Sequence, residues 1–123
     1  MTVVGVLLAV LAVVGAKPSD AVLLGAKGRA EVGAGGISVD LHGLKPLAVT
    51  NVLLKAGTCK RQSASFALIL SRKASAGGTL RASGKPRFHG EVVSHDILAD
   101  GDHLVVVVQG GRVLGCGAIP GLD

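Results

Sequence analysis

The sequence predicts an all-β fold of one domain, an antiparallel sandwich or flattened barrel, and three observations predict it. Short runs rich in Val, Leu and Ile recur between Gly, Pro and Ser turn signals every 8–12 residues or so along the 123 residues. The stretch His103–Gln109 (H-L-V-V-V-V-Q) carries four successive valines, and a β-branched run without alternation marks a strand buried on both faces. No long helical pattern alternates with the strands, which excludes a parallel α/β architecture.

In chain order, Met1–Ala16 is an almost wholly apolar run without side-chain charge that stops at Lys17. It is shorter than the roughly 18 residues a spanning helix requires. Val14 and Ala16 satisfy the small-residue rule at −3 and −1, so the run is predicted to be a signal peptide cleaved after Ala16, although its amino-terminal region is weakly charged. Residues 17–123 then form the single domain. Ala21–Gly25 opens the first strand, and Ala26–Gly36 is Gly/Ala-rich, with Gly33–Gly36 read as a turn. Ile37, Val39 and Leu41 alternate with Ser38, Asp40 and His42, which predicts a half-buried strand with its polar side in water.

Gly43-Leu44-Lys45-Pro46 is a turn, Ala48–Lys55 a strand, and Gly57-Thr58-Cys59 its break, followed by a polar linker at Lys60–Ser63. Ser65–Ser71 reads as a buried strand or two turns of helix, and Thr79–Ala82 as a weak strand within a Gly/Ser-rich loop. Arg87–Val93 is expected to be one strand with Gly90 at a bulge. Ser94 caps a single helical turn before Asp100-Gly101-Asp102 reverses the chain. His103–Gln109, Gly110-Gly111 and the strand through Cys116 to Pro120 make the closing hairpin. Phe66 and Phe88 are the only aromatics, so Val, Leu, Ile and Ala must build most of the core.

The net charge of +5 conceals an asymmetry. No acidic residue lies between Asp40 and Glu91, where Lys45, Lys55, Lys60, Arg61, Arg72, Lys73, Arg81, Lys85 and Arg87 cluster. Such a segment is either a solvated face or a surface for an anionic partner, such as phospholipid head groups or acidic polysaccharide. Nucleic acid is disfavoured because the chain has no Trp or Tyr on which bases could stack. Two cysteines, Cys59 and Cys116, in an exported domain argue for a disulfide, worth on the order of 4 kcal/mol for a loop of this length in the chain-entropy model.

The order of strand, G-L-x-P turn (Gly43–Pro46), strand, Gly57-Thr58-Cys59, basic linker and Leu114-Gly115-Cys116-Gly117 resembles the copper/zinc superoxide dismutase family, more closely its small exported bacterial relatives. The resemblance runs over about Ile37–Pro120 and implies a Greek-key sandwich with a Cys59–Cys116 bond. It also implies that the paired copper ligands, an H-x-H motif, fall on Val52-Leu53-Leu54, and that the later copper histidine falls at or beside Val107. None of these is a histidine. The linker that supplies zinc ligands in the family holds Lys60, Arg61, Gln62 and serines instead. Copper cycling needs several imidazoles on one ion, so the fold is expected to survive without copper, zinc or any other cofactor.

The four histidines, His42, His89, His95 and His103, show no short ligand spacing. Asp100-Gly101-Asp102 lacks the further oxygen ligands of a calcium loop, and no serine sits in a G-x-S-x-G setting. The expected protein is therefore a secreted, periplasmic or cell-envelope module without catalysis. Lys60, Arg61, Arg72 and Lys73 are its candidate contacts to an anionic partner. The rival expectation is a metal-binding, dismutase-like protein with a rearranged histidine set.

Overall fold

The computed structural model describes residues 21–33 and 36–121. The predicted signal segment and its cleavage point lie outside them. Among the described residues no helix is long and apolar enough to cross a membrane.

The fold is all-β and antiparallel, as expected. Strands β1 (Ala21–Leu23), β2 (Gly28–Gly33), β3 (Gly36–Leu41) and β7 (Leu80–Gly84) form one sheet in the order β1-β2-β3-β7. The second sheet runs β11 (Arg112–Ala118), β10 (His103–Gln109), β4 (Val49–Thr58) and β6 (Ala67–Lys73), with a two-residue β5 (Arg61–Gln62) paired to the last two residues of β4. A small hairpin, β8 (Arg87–Phe88) with β9 (Glu91–Val92), and one helical turn, α1 (His95–Leu98), connect β7 to β10. Ser94 caps that turn, its hydroxyl accepting from the Ile97 amide.

Alternation places the core. Val22, Ala30, Val32, Ile37, Val39, Leu41 and Leu80 from the first sheet meet Val52, Leu54, Ala67, Ile69, Leu70, Val105 and Val107 from the second in one buried cluster. Three of the four successive valines are buried as read: Val105, Val106 and Val107 are, with Leu104, about fully buried, and Val105 and Val107 face this core, whereas Val108 is half-buried. Val106 and Leu104 face the other way, packing with Leu53, Val108 and Cys116 in a second cluster on the outside of the sheet. At the far end of β10, the Gln109 side chain accepts from the Lys45 amide and donates to the Lys45 carbonyl and to Thr50 Oγ1. That exchange ties the Gly43–Pro46 turn to the sheet and leaves no buried side-chain polar atom unpaired among the described residues.

The two sheets draw together along both long edges, and glycine permits each approach. A Cβ on Gly117 of β11 would collide with the Leu23 carbonyl oxygen, and one on Gly84 of β7 with the Ile69 carbonyl oxygen. The sandwich is therefore nearly a flattened barrel, with few open sheet edges.

Three expectations need correction. The Gly/Ala-rich stretch contains β2, because Ala30 and Val32 alternate inward against exposed Arg29 and Glu31, and the glycines at its ends masked that period. Strand β4 does not break at Gly57-Thr58 but continues through both, Gly57 at φ 101° allowing the close approach of the Arg61 carbonyl. Arg87–Val93 is a hairpin rather than one bulged strand, since His89 and Gly90 both take positive φ and turn the chain. Gly84→Ala and Gly117→Ala should each destabilise the protein by about 1–3 kcal/mol, the usual cost of forcing atoms into a packed seam. Urea unfolding tests this, with Gly33→Ala as the control: among the described residues the nearest atom to its Cβ is the Gly36 carbonyl oxygen, at 4.0 Å, and the change should alter stability by less than about 0.5 kcal/mol.

Candidate functional site

Cys59 and Cys116 are bonded, with Cα atoms 5.9 Å apart. The bond fastens the turn after β4 to β11, two strands away, and Cys116 packs on the outer cluster of Leu53, Leu104 and Val106. Gln62 donates through Nε2 to the Cys59 carbonyl and lies 3.8 Å from Cys116 Sγ, holding the returning chain beside the disulfide.

The positions that the sequence resemblance gives to copper ligands are neighbours. Val107 lies opposite Val52 in the β10–β4 ladder, and Leu54 follows two residues along the same face. All three are core residues, buried among the aliphatic side chains of both sheets. The histidines are dispersed. His42 is exposed at the end of β3, and His89 occupies the β8–β9 turn with its ring edge against Phe88. His95 opens α1, and among the described residues only His103 contacts a carboxylate, its Nδ1 lying 2.8 Å from Asp100 Oδ1. Among the described residues no group of three or more His, Cys, Asp or Glu side chains is placed to hold a metal ion.

The four basic residues singled out in the sequence fall into two pairs. Lys60 and Arg61 are exposed in the turn beyond Thr58, whereas Arg72 and Lys73 are exposed opposite Thr50 and Val49. Eight residues of extended β4 separate the two locations, about 25 Å. No compact ligand touches both pairs; only an extended anionic surface would.

What the fold does assemble is a cleft of about 280 Å³ at one end of the sandwich. Its wall is the last fully buried residue of β4, Leu54, with Lys55 and Ala56, together with Ala67 at the start of β6 and His103 at the start of β10. Phe66, Phe88, Val93 and Ile97 form the remaining apolar wall, contributed by the segments flanking β6 and by the β8–α1 excursion. Phe66 and Phe88, the two aromatics of the sequence, are 51% and 49% exposed here. The cause is visible in F-A-L-I-L: Ala67 and Ile69 take the inward positions of β6, which sends Phe66 and Leu68 outward. Phe88 sits in a two-residue strand that covers the cleft rather than the core.

The polar groups of the cleft are mostly committed. Ser63 Oγ accepts from the Ala56 amide at 3.0 Å and donates to the Ser65 carbonyl at 2.7 Å. His103 is held by Asp100, which also accepts from the Asp102 amide at 2.9 Å. Lys55 enters none of the ion pairs seen among the described residues. The arrangement lacks an activated nucleophile beside a base, and its character is that of a binding surface: aromatic and aliphatic walls with few polar groups.

The chain matches no protein-family model, and no curated protein or solved structure matches it either.

The hydrogen bond from His103, helped by the Asp102 amide, holds the Asp100 carboxyl below its ordinary 3.8. A folded-state value below the unfolded one stabilises the fold above the unfolded value and is lost as pH falls through the lower folded one. Asp100 is 42% exposed, so solvent screening keeps the effect small. Asp100→Asn should accordingly lose less stability than the wild type between about pH 5 and pH 3, as read by urea midpoints at each pH.

Proposed function

We propose that this chain is an exported, non-catalytic binding module on a superoxide-dismutase-like Greek-key sandwich, and that it binds a small apolar or amphipathic ligand in the cleft between Phe66 and Phe88. The carrying observation is the cleft itself. The only two aromatic side chains of the sequence, each half-exposed, wall an apolar cavity instead of filling the core. Leaving two phenyl rings half in contact with water forfeits roughly 0.7–1.5 kcal/mol apiece of burial, which a ligand would recover.

The family part of the reading has three supports. The Cys59–Cys116 bond joins the two motifs that carry the resemblance. With the two-residue β5 set aside, strands β4, β6 and β7 follow one another and β10 returns beside β4, which agrees with the 4-1-2-3 order of a Greek key when the β6–β7 seam is counted as adjacent. Val52, Leu54 and Val107, which take the place of copper ligands, lie together and apolar. Export is supported by the disulfide, which persists in oxidising compartments, and by the apolar Met1–Ala16 run.

A neutral apolar fluorophore such as N-phenyl-1-naphthylamine tests the cleft directly, because a chain with no Trp or Tyr has almost no fluorescence of its own. Saturable enhancement at one site is expected. Phe66→Ser and Phe88→Ser should each weaken it about tenfold, while Phe66→Leu should retain most of the affinity. Circular dichroism of each variant verifies that it is folded. Absence of saturable binding, or wild-type affinity in both Ser variants, would remove the cleft as the binding site.

A further inference from the structure

We infer that the end of the sandwich opposite the cleft is a docking surface for an anionic phospholipid bilayer, with Leu47 as the side chain that enters the lipid and Lys45, Arg72, Lys73 and Arg112 as the cations around it. This end stands apart from the cleft, which opens roughly 20 Å away along β4, from Val49 to Lys55.

The leucine is the anomaly. Lys45-Pro46-Leu47-Ala48 is a turn closed by the Ala48 amide on the Lys45 carbonyl, with Pro46 at its second position and Leu47 at its third, at φ 61°. With proline before it, that third position belongs to a type II turn and calls for glycine or asparagine, because a Cβ is strained at positive φ. Burial does not offset the strain: Leu47 is 65% exposed, and Val49, two residues on, is 50% exposed. The backbone of the turn is nevertheless held from several sides. Gln109 accepts from the Lys45 amide and donates to its carbonyl, the Leu47 amide donates to the Ser75 carbonyl at 3.3 Å, and the Ala74 amide donates to the Ala48 carbonyl at 2.9 Å. Surroundings that over-determine a sparsely populated conformation mark a position that presents its side chain for use.

Register gathers the cations around it. Arg72, Thr50, Gln109 and Arg112 lie opposite one another across β6, β4, β10 and β11, so the two arginines are three strand spacings apart, about 14 Å. Lys73 pairs with Val49 in the next row, and Lys45 is hydrogen-bonded to Gln109. All four cations are exposed. The acids of the described residues lie elsewhere: Glu91, Asp96, Asp100 and Asp102 belong to the segments at the cleft end, Glu31 is 3.5 Å from Arg29 on β2, and Asp40 is paired with Arg81 at 3.3 Å. A merely solvated face has no use for a strained leucine, and an acidic polysaccharide offers charge without an apolar interior. An anionic bilayer offers both, and lasting attachment to one takes an apolar and a basic signal together.

Co-sedimentation of the oxidised protein with vesicles of phosphatidylcholine alone, and of phosphatidylcholine and phosphatidylglycerol in equal parts, tests the surface. Binding is expected to the anionic vesicles only, weakening as salt rises. Arg72→Gln with Lys73→Gln should lower the affinity about tenfold or more, whereas Lys60→Gln with Arg61→Gln, beyond the other end of β4, should stay within about twofold. Leu47→Gly relieves the positive φ, so its urea midpoint should not fall below that of the wild type, yet it should lose about fivefold or more in vesicle affinity; Leu47→Met should retain the affinity. Equal binding to neutral and anionic vesicles, wild-type affinity in Leu47→Gly, or equal losses in the two double variants overturns the docking surface. Retention on heparin–agarose without any binding to vesicles overturns the bilayer as the partner. Binding to neither overturns the surface altogether and leaves the cleft reading as it stands.

Discussion

A strand buried on both faces has to be covered twice, and β10 imposes that requirement on the whole molecule. Leu104–Val107 lies between β4 and β11, so its hydrogen bonds are satisfied within the sheet, while its side chains leave the strand in two directions. Val105 and Val107 are covered by the opposite sheet. Leu104 and Val106 are covered from outside by Leu53, Val108 and the Cys116 half of the disulfide. The core contains no aromatic ring among the described residues, so close contact of β-branched and aliphatic side chains must supply its cohesion. The glycines at the two seams contribute by letting backbone approach backbone where any side chain would hold the sheets apart.

The same constraint leads to the cleft. Positions 52, 54 and 107 are committed to the interior, so chemistry would have to be found elsewhere on this framework. At the end of the sandwich, where β4 runs beyond β6 and the β8–α1 excursion crosses over, the inner face is no longer closed by a second sheet. Leu54 and Ala67 are the last core residues there, and Phe66, Phe88, Val93 and Ile97 wall the opening without sealing it. The apolar surface is continuous from the core to the cleft. An apolar ligand entering there would extend the core by a few groups.

Much of the fold was legible in the residues. The period-two pattern of Ile37–Leu41 and the unbroken apolar run of β10 report burial directly, and Ser94 announced its helical turn. Strand β2 was hidden because glycines bracket only two inward side chains, too few for a period to show against the surrounding Gly/Ala composition. The cleft was less legible. Phenylalanine in an apolar stretch reads as core, and only the parity of β6, fixed by its pairing of Leu70 with Val52 and Ala67 with Leu54, turns Phe66 outward. Phe88 depended on a hairpin whose turn required a positive φ at His89, a residue with no strong turn signal. The basic residues were visible by count, but their division between the two ends of β4 is a matter of register, which sequence spacing does not carry.

The measurement that bears most directly on binding through the cleft is a methyl and aromatic chemical-shift titration of the isotopically labelled, oxidised protein with N-phenyl-1-naphthylamine. Saturable shifts are predicted for Leu54, Val93 and Ile97 methyls and for the rings of Phe66 and Phe88, while Val39 and Val106 remain still. Shifts absent from those five residues, or centred instead on the exposed residues near Arg72 and Lys73, would contradict the account.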